Sequence, residues 1–469
     1  MTTVNHRKEE RSEAKTEGPR ESLIPLPKSV MVDKTERELS FLPSDQEASI
    51  ATIEGVLANR NIQKAIKAVK ANKGASGIDG ITTEEIQSVM QKEWPRIKQE
   101  ILEGKYKPSP VRRVEIPKPN GGIRQLGIPT VIDRVIQQAL HQELTPVFDS
   151  TFSQHSYGFR PNRSAQQAVL QAQKYIQEGC EWVVDIDLEK FFDKVNHDML
   201  MARVARRVKD KKILLLIRRY LQAGVMENGL VKATEEGTPQ GSPLSPLLSN
   251  IMLDDLDRNL EKRGLRFVRF ADDCNTYVKT ERAGKRVMET TERYLIEVLK
   301  LKVNQQKSAV DNPWNRQFLG FTFTRDKEPN RIAVHKSRIK RLKDKIRRTT
   351  KKMRGSKLTE SIRKRIMPIT RGWANYFGLA ESRSIFESLD GWIRRKIRGI
   401  LWRQWKKPRT RYKRLILFGL KEHTAKKTAY AGKGPWRMAR TYGMHKALSN
   451  DAIESMGYVS MASMVRARS

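Results

Sequence analysis

Cysteine is scarce in this 469-residue chain, and long apolar stretches are missing from it. Cys180 and Cys274 are its two cysteines, which excludes a disulfide framework and a cysteine-rich zinc module. The longest aliphatic run, residues 213–217, is far shorter than the roughly 20 apolar residues that a membrane-spanning helix needs. The N-terminal residues show no apolar core of a secretory signal. We therefore expect a reduced, soluble, cytoplasmic protein with no membrane partner.

Acidic residues are also few relative to basic ones. The chain carries 91 Lys and Arg against 53 Asp and Glu, a net charge of +38. Residues 331–469 hold 38 basic and 8 acidic residues, a net of +30, whereas residues 1–330 have a net of only +8. The length suggests about three domains. A basic region beside a nearly balanced one indicates a polyanion-binding module attached to a different working domain, with nucleic acid as the main partner.

Apolar periodicity predicts a mixture of helices and short strands. Residues 1–50 show no periodicity, which predicts a flexible N-terminal arm. Helices are expected near 52–72, 81–103, 130–144, 164–177, 339–346, 358–369 and 386–400. Strands are expected in a hairpin over 111–128, at 182–188, in a second hairpin at 267–270 and 275–278, and on both sides of 318–321. The last three helices have cationic outer faces and predict a three-helix bundle.

Four aspartates lie in or beside two of the predicted strands. Asp185 and Asp187 alternate along one strand, so both carboxylates project from the same face. Asp272 and Asp273 occupy the turn of the second hairpin. An Asp-Asp pair in a turn is often only turn chemistry. Charge beside buried strands is costly, and a divalent cation would offset the repulsion. Oxygen ligands favour Mg²⁺, and two ions would activate a 3′-hydroxyl nucleophile and stabilise a leaving pyrophosphate.

Neighbouring residues suit a nucleotide substrate. Phe192 follows the acidic strand and could exclude a 2′-hydroxyl, although a core role fits at least one of the two adjacent phenylalanines. Lys118 and Arg124 in the first hairpin are cations suited to a triphosphate, or else belong to a solvated turn. Gln240 stands in a Gly- and Pro-rich loop between the two acidic segments and could present its amide to a base-paired nucleotide.

Several distinctive motifs follow one another in a fixed order along the chain. They are GASGIDGIT, IPKPNGGIRQLGIPTVIDRVIQQAL, SYGFRPNRSAQQAV, VVDIDLEKFFDKVNHDML, GTPQGSPLSPLLSNIMLDDLD, FVRFADDCNTYV, LKVNQQKS, FLGFTF, GWANYFGL and GKGPWRMAR. In this order they resemble the reverse transcriptase/maturase proteins encoded by bacterial group II introns. The resemblance covers about residues 55–445. Within this family, the chain is most similar to the short type that lacks an endonuclease domain and accompanies the group IIC lineage.

The resemblance implies a set of site residues. Asp187, Asp272 and Asp273 become the catalytic carboxylates and the ligands of two Mg²⁺ ions, with Mn²⁺ able to replace Mg²⁺, while Asp185 is expected to be structural. The side chains implied to bind the dNTP are Lys118 and Arg124 at the triphosphate, Phe192 as the sugar gate, Gln240 against the incoming nucleotide, and Lys307 at the departing pyrophosphate. The residues implied to position the primer end are Phe318, Leu319 and Gly320.

Two features bear on how far the resemblance extends. The family hairpin most often begins with Tyr, whereas this chain has Phe270, which removes one hydroxyl and leaves the acids intact. The endonuclease of many relatives needs a His/Asn/Cys-type metal site. The C-terminal segment offers only His423 and His445 and no cysteine after Cys274, so we expect no such nuclease.

The implied fold class is α+β, a right-hand polymerase with an antiparallel palm sheet, an α-helical thumb and a small basic C-terminal module. The expected regions are the arm (1–50), the fingers (51–180), the palm (181–330), the thumb or maturase domain (331–409) and the C-terminal DNA-binding module (410–469). The basic third of the chain, residues 331–469, contains five tryptophans. They could stack on bases, but most of them are better explained as residues of a hydrophobic core.

The implied function is RNA-directed DNA synthesis combined with binding of the intron RNA, to assist splicing and to copy it for retrohoming. The implied partners are the group II intron RNA, an RNA template/DNA primer duplex, target DNA and dNTPs, with nucleoid association when the protein acts on DNA. Two alternatives stay open: a catalytically idle RNA-binding splicing factor, and a domesticated reverse transcriptase serving DNA repair or CRISPR adaptation. The protein could be a monomer or a dimer.

Overall fold

The computed structural model describes most of the chain beyond the predicted arm. The described residues are 50–117, 122–227, 230–232, 237, 241–325, 330–353 and 355–467. The predicted arm over residues 1–50 therefore lies outside them, except for its last residue. Within these ranges no helix is both long and apolar enough to cross a bilayer.

The first part of the described chain is helical apart from one long hairpin. Its elements are α1 (Ile53–Leu57), α2 (Asn59–Asn72), α3 (Ile86–Leu102), β1 (Val111–Pro117), β2 (Ile123–Ile128), α4 (Val131–Asp149) and α5 (Ala165–Gln177). The helix predicted from residue 52 is split into α1 and α2, because Ala58 between them has an extended backbone. Its predicted end is confirmed, since Lys73 adopts the left-handed conformation that terminates α2.

The middle of the chain builds an antiparallel sheet with helices packed on it. Its elements are β3 (Trp182–Ile186), α6 (Phe191–Lys194), α7 (His197–Ala205), α8 (Lys211–Gln222), β4 (Val225–Glu227), β5 (Leu230–Lys232), α9 (Ser245–Lys262), β6 (Arg266–Phe270), β7 (Asp273–Val278), α10 (Glu281–Glu297), β8 (Ala309–Asp311), β9 (Phe321–Phe323) and β10 (Ile332–Val334). The palm sheet has the strand order β6-β7-β3-β8. A second sheet, β2-β1-β4-β5, ties the first hairpin to the palm range, and β9 pairs with β10.

The described residues that follow β10 are helical. The elements are α11 (Lys336–Lys351), α12 (Leu358–Ser361), a π-helical turn (Ile362–Ile366), α13 (Met367–Phe377), α14 (Arg383–Gln404), α15 (Pro408–Leu417), α16 (Glu422–Ala429), α17 (Pro435–Met438), α18 (Tyr442–Ala447), α19 (Asn450–Ser455) and α20 (Met461–Arg466). The three predicted bundle helices are present, and the second contains the π turn. The α+β fold class is thereby confirmed.

Two hydrophobic cores hold the molecule together. The first joins α1–α4 to the palm helices and to one face of the palm sheet. The second joins the palm to the helices of both the thumb and the C-terminal module, and its members include Val268, Phe321, Phe386, Leu415 and Tyr458. This core crosses the expected boundaries at 330/331 and 409/410, which remain predictions.

A buried carboxylate fastens the last helix to the thumb. Asp390 on α14 is 1% exposed and accepts hydrogen bonds from the Tyr458 hydroxyl (2.6 Å) and the Ser460 hydroxyl (2.9 Å). It also accepts from the backbone N–H groups of Met461 (2.9 Å) and Ala462 (3.0 Å), at the first turn of α20. Asp390 thereby satisfies N–H groups at the start of α20 that have no partner within the helix.

Asp390→Ala should lower the free energy of unfolding by about 3 kcal/mol, because it leaves four donors, three of them buried, without an acceptor. Urea unfolding, together with amide hydrogen exchange over residues 458–465, would measure the loss. Glu387→Ala is the matched control: Glu387 also lies on α14 and pairs with Arg466 of α20 at 2.6 Å, but both side chains are more than half exposed. Its loss should stay below about 1 kcal/mol. Equal losses from the two variants would contradict the assignment.

Candidate catalytic site

Two strands bring the predicted acidic residues together at one end of the palm sheet. β3 and β7 pair antiparallel, with Ile186 opposite Cys274. The next positions along this register are Asp187 and Asp273. Asp272 lies in the turn between β6 and β7. The structure therefore collects carboxylates from two distant segments of the chain into one cluster.

This cluster carries more negative charge than its surroundings balance. The Asp273 side chain remains accessible to solvent, but the protein atoms around it desolvate its carboxylate. That desolvation, together with the charges of Asp272, Asp185 and Asp187, raises the pKa of Asp273 to about 7, and Lys307 opposes the shift. A carboxylate with so high a pKa lies where a bound cation would be stabilised.

The side chain of Lys307 contacts the carboxylate of Asp187. Its Nζ lies 2.9 Å from Asp187 Oδ2, and its side chain is 65% exposed. The segment that carries it is fixed to β3, because the Asp187 N–H donates to Ser308 Oγ (3.0 Å) and the Asp187 carbonyl accepts from the Asn304 N–H (2.8 Å). Lys307 therefore combines a fixed backbone with an exposed charged end beside the acidic cluster.

Asp185, which lies on β3 two residues before Asp187, is already paired. Arg316 donates to Asp185 Oδ2 from Nη2 (2.7 Å) and Nε (3.0 Å), and it also donates to the Lys307 carbonyl (2.6 Å). Burial raises the pKa of Asp185, while the Arg316 guanidinium acts to lower it. The pairing suits the structural role expected for Asp185 and ties it to the segment that carries Lys307.

The donors in the cluster suit a hard cation. Across the described ranges, no group of three or more His, Cys, Asp or Glu side chains has the spacing of a metal site. In phosphoryl-transfer sites, however, Mg²⁺ is usually held by one or two carboxylates together with water and substrate phosphates. Asp187 and the Asp272–Asp273 turn supply such oxygens, and burial together with the neighbouring carboxylates raises the pKa of Asp273 to about 7. The predicted Mg²⁺ ligands thus fit chemically and stay a prediction.

The turn that bears Asp272 has a strained backbone. Ala271 adopts φ +59°, a left-handed conformation that L-residues other than glycine rarely take. The loop before α5 packs on this turn: the Tyr157 N–H donates to the Arg269 carbonyl (2.8 Å), and a methyl group added at Gly158 would overlap the Ala271 nitrogen. The centroid of the Phe270 ring lies 6.3 Å from that of Phe159.

Phe192 lies at the edge of the first core. Phe191 is 3% exposed, whereas Phe192 is only partly buried, and their rings meet edge to face at 5.2 Å. The backbone at Phe192 contacts the loop that leads towards α9, since a methyl group added at Gly237 would lie 2.9 Å from the Phe192 carbonyl oxygen. Gly237 is needed there, because its φ is +92°. The sugar-gate role of Phe192 remains a prediction.

Three predicted nucleotide-binding groups lie outside the described structure: Lys118, Gln240 and the side chain of Arg124. The backbone of Arg124 is described and pairs with Ile116 in the β1–β2 hairpin. The chain on both sides of the loop containing Gln240 lies close to other elements. Gly237 donates to the Val195 carbonyl (2.8 Å) and accepts from His197 Nε2 (2.7 Å), and a methyl group added at Gly241 would lie 3.2 Å from the Gly127 carbonyl oxygen of β2.

The predicted primer-positioning residues form a tight turn held by the thumb. Phe318 and Phe321 exchange two backbone hydrogen bonds (3.0 and 2.9 Å), and Leu319 and Gly320 between them both have positive φ, as a type I′ turn requires. The Tyr376 hydroxyl of α13 donates to the Leu319 carbonyl at 2.9 Å. The turn therefore has a fixed position relative to the thumb helix.

The sequence patterns did not single out Arg316, Arg269 or Tyr376. Arg316 and Tyr376 contact predicted site residues, and Arg269 contacts Ala271, next to Asp272. A signal existed for Arg269, because a cation between Val268 and Phe270 in a buried strand must have a partner. No such sequence signal existed for Arg316 or Tyr376, since each contacts a partner more than fifty residues away.

Two protein families match the chain in succession. Reverse transcriptase (RNA-dependent DNA polymerase) matches residues 116–323, which contain β3 and the β6–β7 turn and so all three predicted catalytic aspartates. Group II intron, maturase-specific domain matches residues 339–416, from α11 into α15.

Individual proteins show the same likeness. Protein YkfC of Escherichia coli strain K12 is 41% identical over 192 residues, which are 40% of this chain and 50% of that protein. Group II intron-encoded protein LtrA of Lactococcus lactis subsp. cremoris is 38% identical over 192 residues, 41% of this chain and 31% of LtrA. A solved partial Cas6-RT-Cas1–Cas2 complex covers 57% of this chain and 47% of its own, at 26% identity and a TM-score of 0.35. The chain spans half or less of the length of these relatives.

Proposed function

This chain belongs to the group II intron-encoded reverse transcriptase/maturase proteins, and we propose that it synthesises DNA on an RNA template and binds the RNA of its own group II intron. The observation that most strongly supports this proposal is the pairing of β3 with the β6–β7 hairpin. This pairing clusters Asp187, Asp272 and Asp273 inside the region that matches the reverse-transcriptase family. A strongly basic maturase region follows directly.

In the proposed reaction, the primer 3′-oxygen forms a bond to the α-phosphorus of a dNTP, and the bond to the β-phosphate breaks to release pyrophosphate. Asp187, Asp272 and Asp273 would hold two Mg²⁺ ions, or Mn²⁺ in their place. When bound, Mg²⁺ supplies positive charge that lowers the pKa of the 3′-hydroxyl and stabilises the leaving group. Lys307, on its exposed stem beside Asp187, would meet the developing charge on pyrophosphate.

The remaining contacts to the nucleotide and primer are proposals of the same kind. Lys118 and Arg124 would bind the triphosphate, Phe192 would exclude a 2′-hydroxyl, and Gln240 would lie against the incoming nucleotide. The thumb-held turn at 318–320 would set the position of the primer end, because Tyr376 fixes its carbonyl to α13.

The basic third would bind nucleic acid through its charge. Its net charge of +30 would neutralise phosphates and release counterions, which makes binding steeply dependent on salt. We assign the intron RNA to the thumb and target DNA to the C-terminal module, and we place the protein in the bacterial cytoplasm, at the nucleoid when it acts on DNA. The absence of an endonuclease and the group IIC affiliation stay predictions.

Primer extension with the full-length protein tests this function. A DNA primer annealed to an RNA template should be extended with dNTPs in Mg²⁺, and EDTA should stop the reaction. A folded, monodisperse protein that incorporates no dNTP in Mg²⁺ or Mn²⁺ would overturn the polymerase assignment. Splicing of the group II intron RNA that flanks the coding sequence, with and without the protein, distinguishes an idle splicing factor from a polymerase. Absence of any such intron would favour a domesticated role.

A further inference from the structure

The buried side chain of Arg269 contacts the strained turn that bears Asp272. Arg269, the fourth residue of β6, is 0% exposed, and its guanidinium makes a bidentate pair with Asp257 of α9 (Nε–Oδ1 2.7 Å, Nη2–Oδ2 2.6 Å). Its Nη1 donates to Asn250 Oδ1 and to the Ala271 carbonyl, both at 2.9 Å. One guanidinium thus connects a helix of the palm to the residue that precedes Asp272.

Asn250 extends this connection to the loop before α5, which packs on the turn. Its side chain is fully buried, accepts from Arg269 and donates from Nδ2 to the Gly158 carbonyl at 2.8 Å. Gly158 in turn packs directly on the backbone of Ala271. The Ala271 peptide is therefore held on one side by a hydrogen bond from Arg269 and on the other by the backbone that Asn250 fixes.

Stability alone does not account for this arrangement. A buried ion pair costs much of its attraction in desolvation, and apolar residues of similar volume often replace such a pair without loss of stability. The hydrogen bond to the Ala271 carbonyl has a different consequence, because Ala271 keeps its left-handed backbone only where its surroundings impose it. The direction of the following aspartate depends on that conformation.

We propose that Arg269 is a positioning residue for catalysis: by holding the Ala271 carbonyl, it fixes the direction in which Asp272 and Asp273 present their carboxylates. This proposal rests on the proposed polymerase function. It predicts that the network affects the chemical step and leaves substrate affinity nearly unchanged, since none of its members lies where a nucleotide or duplex could contact it.

The test replaces the ion pair by apolar residues in the full-length protein. Arg269→Met with Asp257→Leu should give a folded protein with an unchanged circular dichroism spectrum and a kcat for dNTP incorporation lowered roughly 100-fold, the scale expected for a displacement of about 1 Å at the reacting groups. The KM for dNTP and the Kd for primer–template should stay within about threefold.

The matched control makes the same change at Arg203 and Asp255. This ion pair (2.9 Å) is also largely buried and also involves α9, but it joins α9 to α7, away from the turn. Its kcat should stay within about threefold of wild type. Equal kcat losses in the two double variants, or wild-type kcat in the Arg269/Asp257 variant, would overturn the positioning role. If the wild-type protein itself incorporates no dNTP, the proposed function fails instead.

A second variant keeps the proposal testable if the first does not fold. Arg269→Lys preserves the charge opposite Asp257, but one ammonium cannot replace the guanidinium at Asp257, Asn250 and the Ala271 carbonyl together. Its kcat should fall, and adding Ala271→Gly should recover roughly fivefold, because glycine adopts positive φ without strain. Wild-type kcat in Arg269→Lys, or no recovery with glycine, would contradict the proposal.

Discussion

Asp187→Asn should lower the rate of dNTP incorporation by roughly 1000-fold or more in single-turnover primer extension. The variant keeps the size of the side chain but removes one negative charge from the cluster that would bind Mg²⁺ and from the contact with Lys307. Binding of the primer–template duplex should change little, because the basic third of the chain supplies most of its positive charge. Filter binding of the labelled duplex would verify this.

Asp185→Asn is the control for that change, because it removes the same charge two residues earlier, from β3. Asp185 is paired with Arg316, so the expected loss is in stability, about 2 kcal/mol, with the incorporation rate within about tenfold of wild type. If the two variants lost activity to the same extent, Asp187 would have no special role and the assignment of the catalytic acid would be wrong.

Gly158→Ala should reduce kcat about 100-fold although residue 158 touches no substrate in the proposed reaction. The added methyl group would overlap the Ala271 nitrogen and lie 2.9 Å from the Phe270 carbonyl carbon, so the loop or the acidic turn must move. Both contacts are with backbone, which cannot yield as a flexible side chain would. A displacement near 1 Å at the reacting groups costs about this much in rate. Steady-state kinetics should show the loss in kcat and not in the KM for dNTP.

Gly372→Ala serves as its control. A methyl group at this exposed position of α13 would meet no atom within 4 Å, and alanine favours the helix by about 1 kcal/mol. This variant should polymerise at the wild-type rate and unfold at the same or a slightly higher temperature. A wild-type kcat in Gly158→Ala would show that the loop does not constrain the acidic turn.

The acidic cluster was predictable because its signals are local. Alternation along 182–188 placed both acids on one face, and the apolar runs around Asp272 indicated a hairpin. The antiparallel pairing of β3 with β7 then leaves one register that puts the apolar residues of both strands in the cores. The break of the first helix at Ala58 was not predictable, since the apolar spacing continues through it.

The residues that pair with the acidic cluster or hold its turn could not be predicted from local sequence patterns. Arg316 binds Asp185 across 131 positions, and neither residue carries a pattern that identifies the other. A sequence signal existed at Arg269, a cation in a buried strand, but its partner Asp257 lies among several acids of α9, and only the packed helix shows which of them faces β6. Such pairings depend on the assembled tertiary structure.

The second hydrophobic core has a practical consequence for dissecting the molecule. Val268 and Phe321 from the palm pack in one continuous interior with Phe386 from the thumb and Tyr458 near the C-terminus. A fragment cut out at residue 331 would expose the apolar faces of α13 and α14 to water, and shared interiors of this kind make excised pieces aggregate. The proposed affinity of residues 331–469 for RNA is therefore best measured on the intact polypeptide carrying Asp187→Asn, since the palm sheet shares its core with the helices proposed to bind RNA.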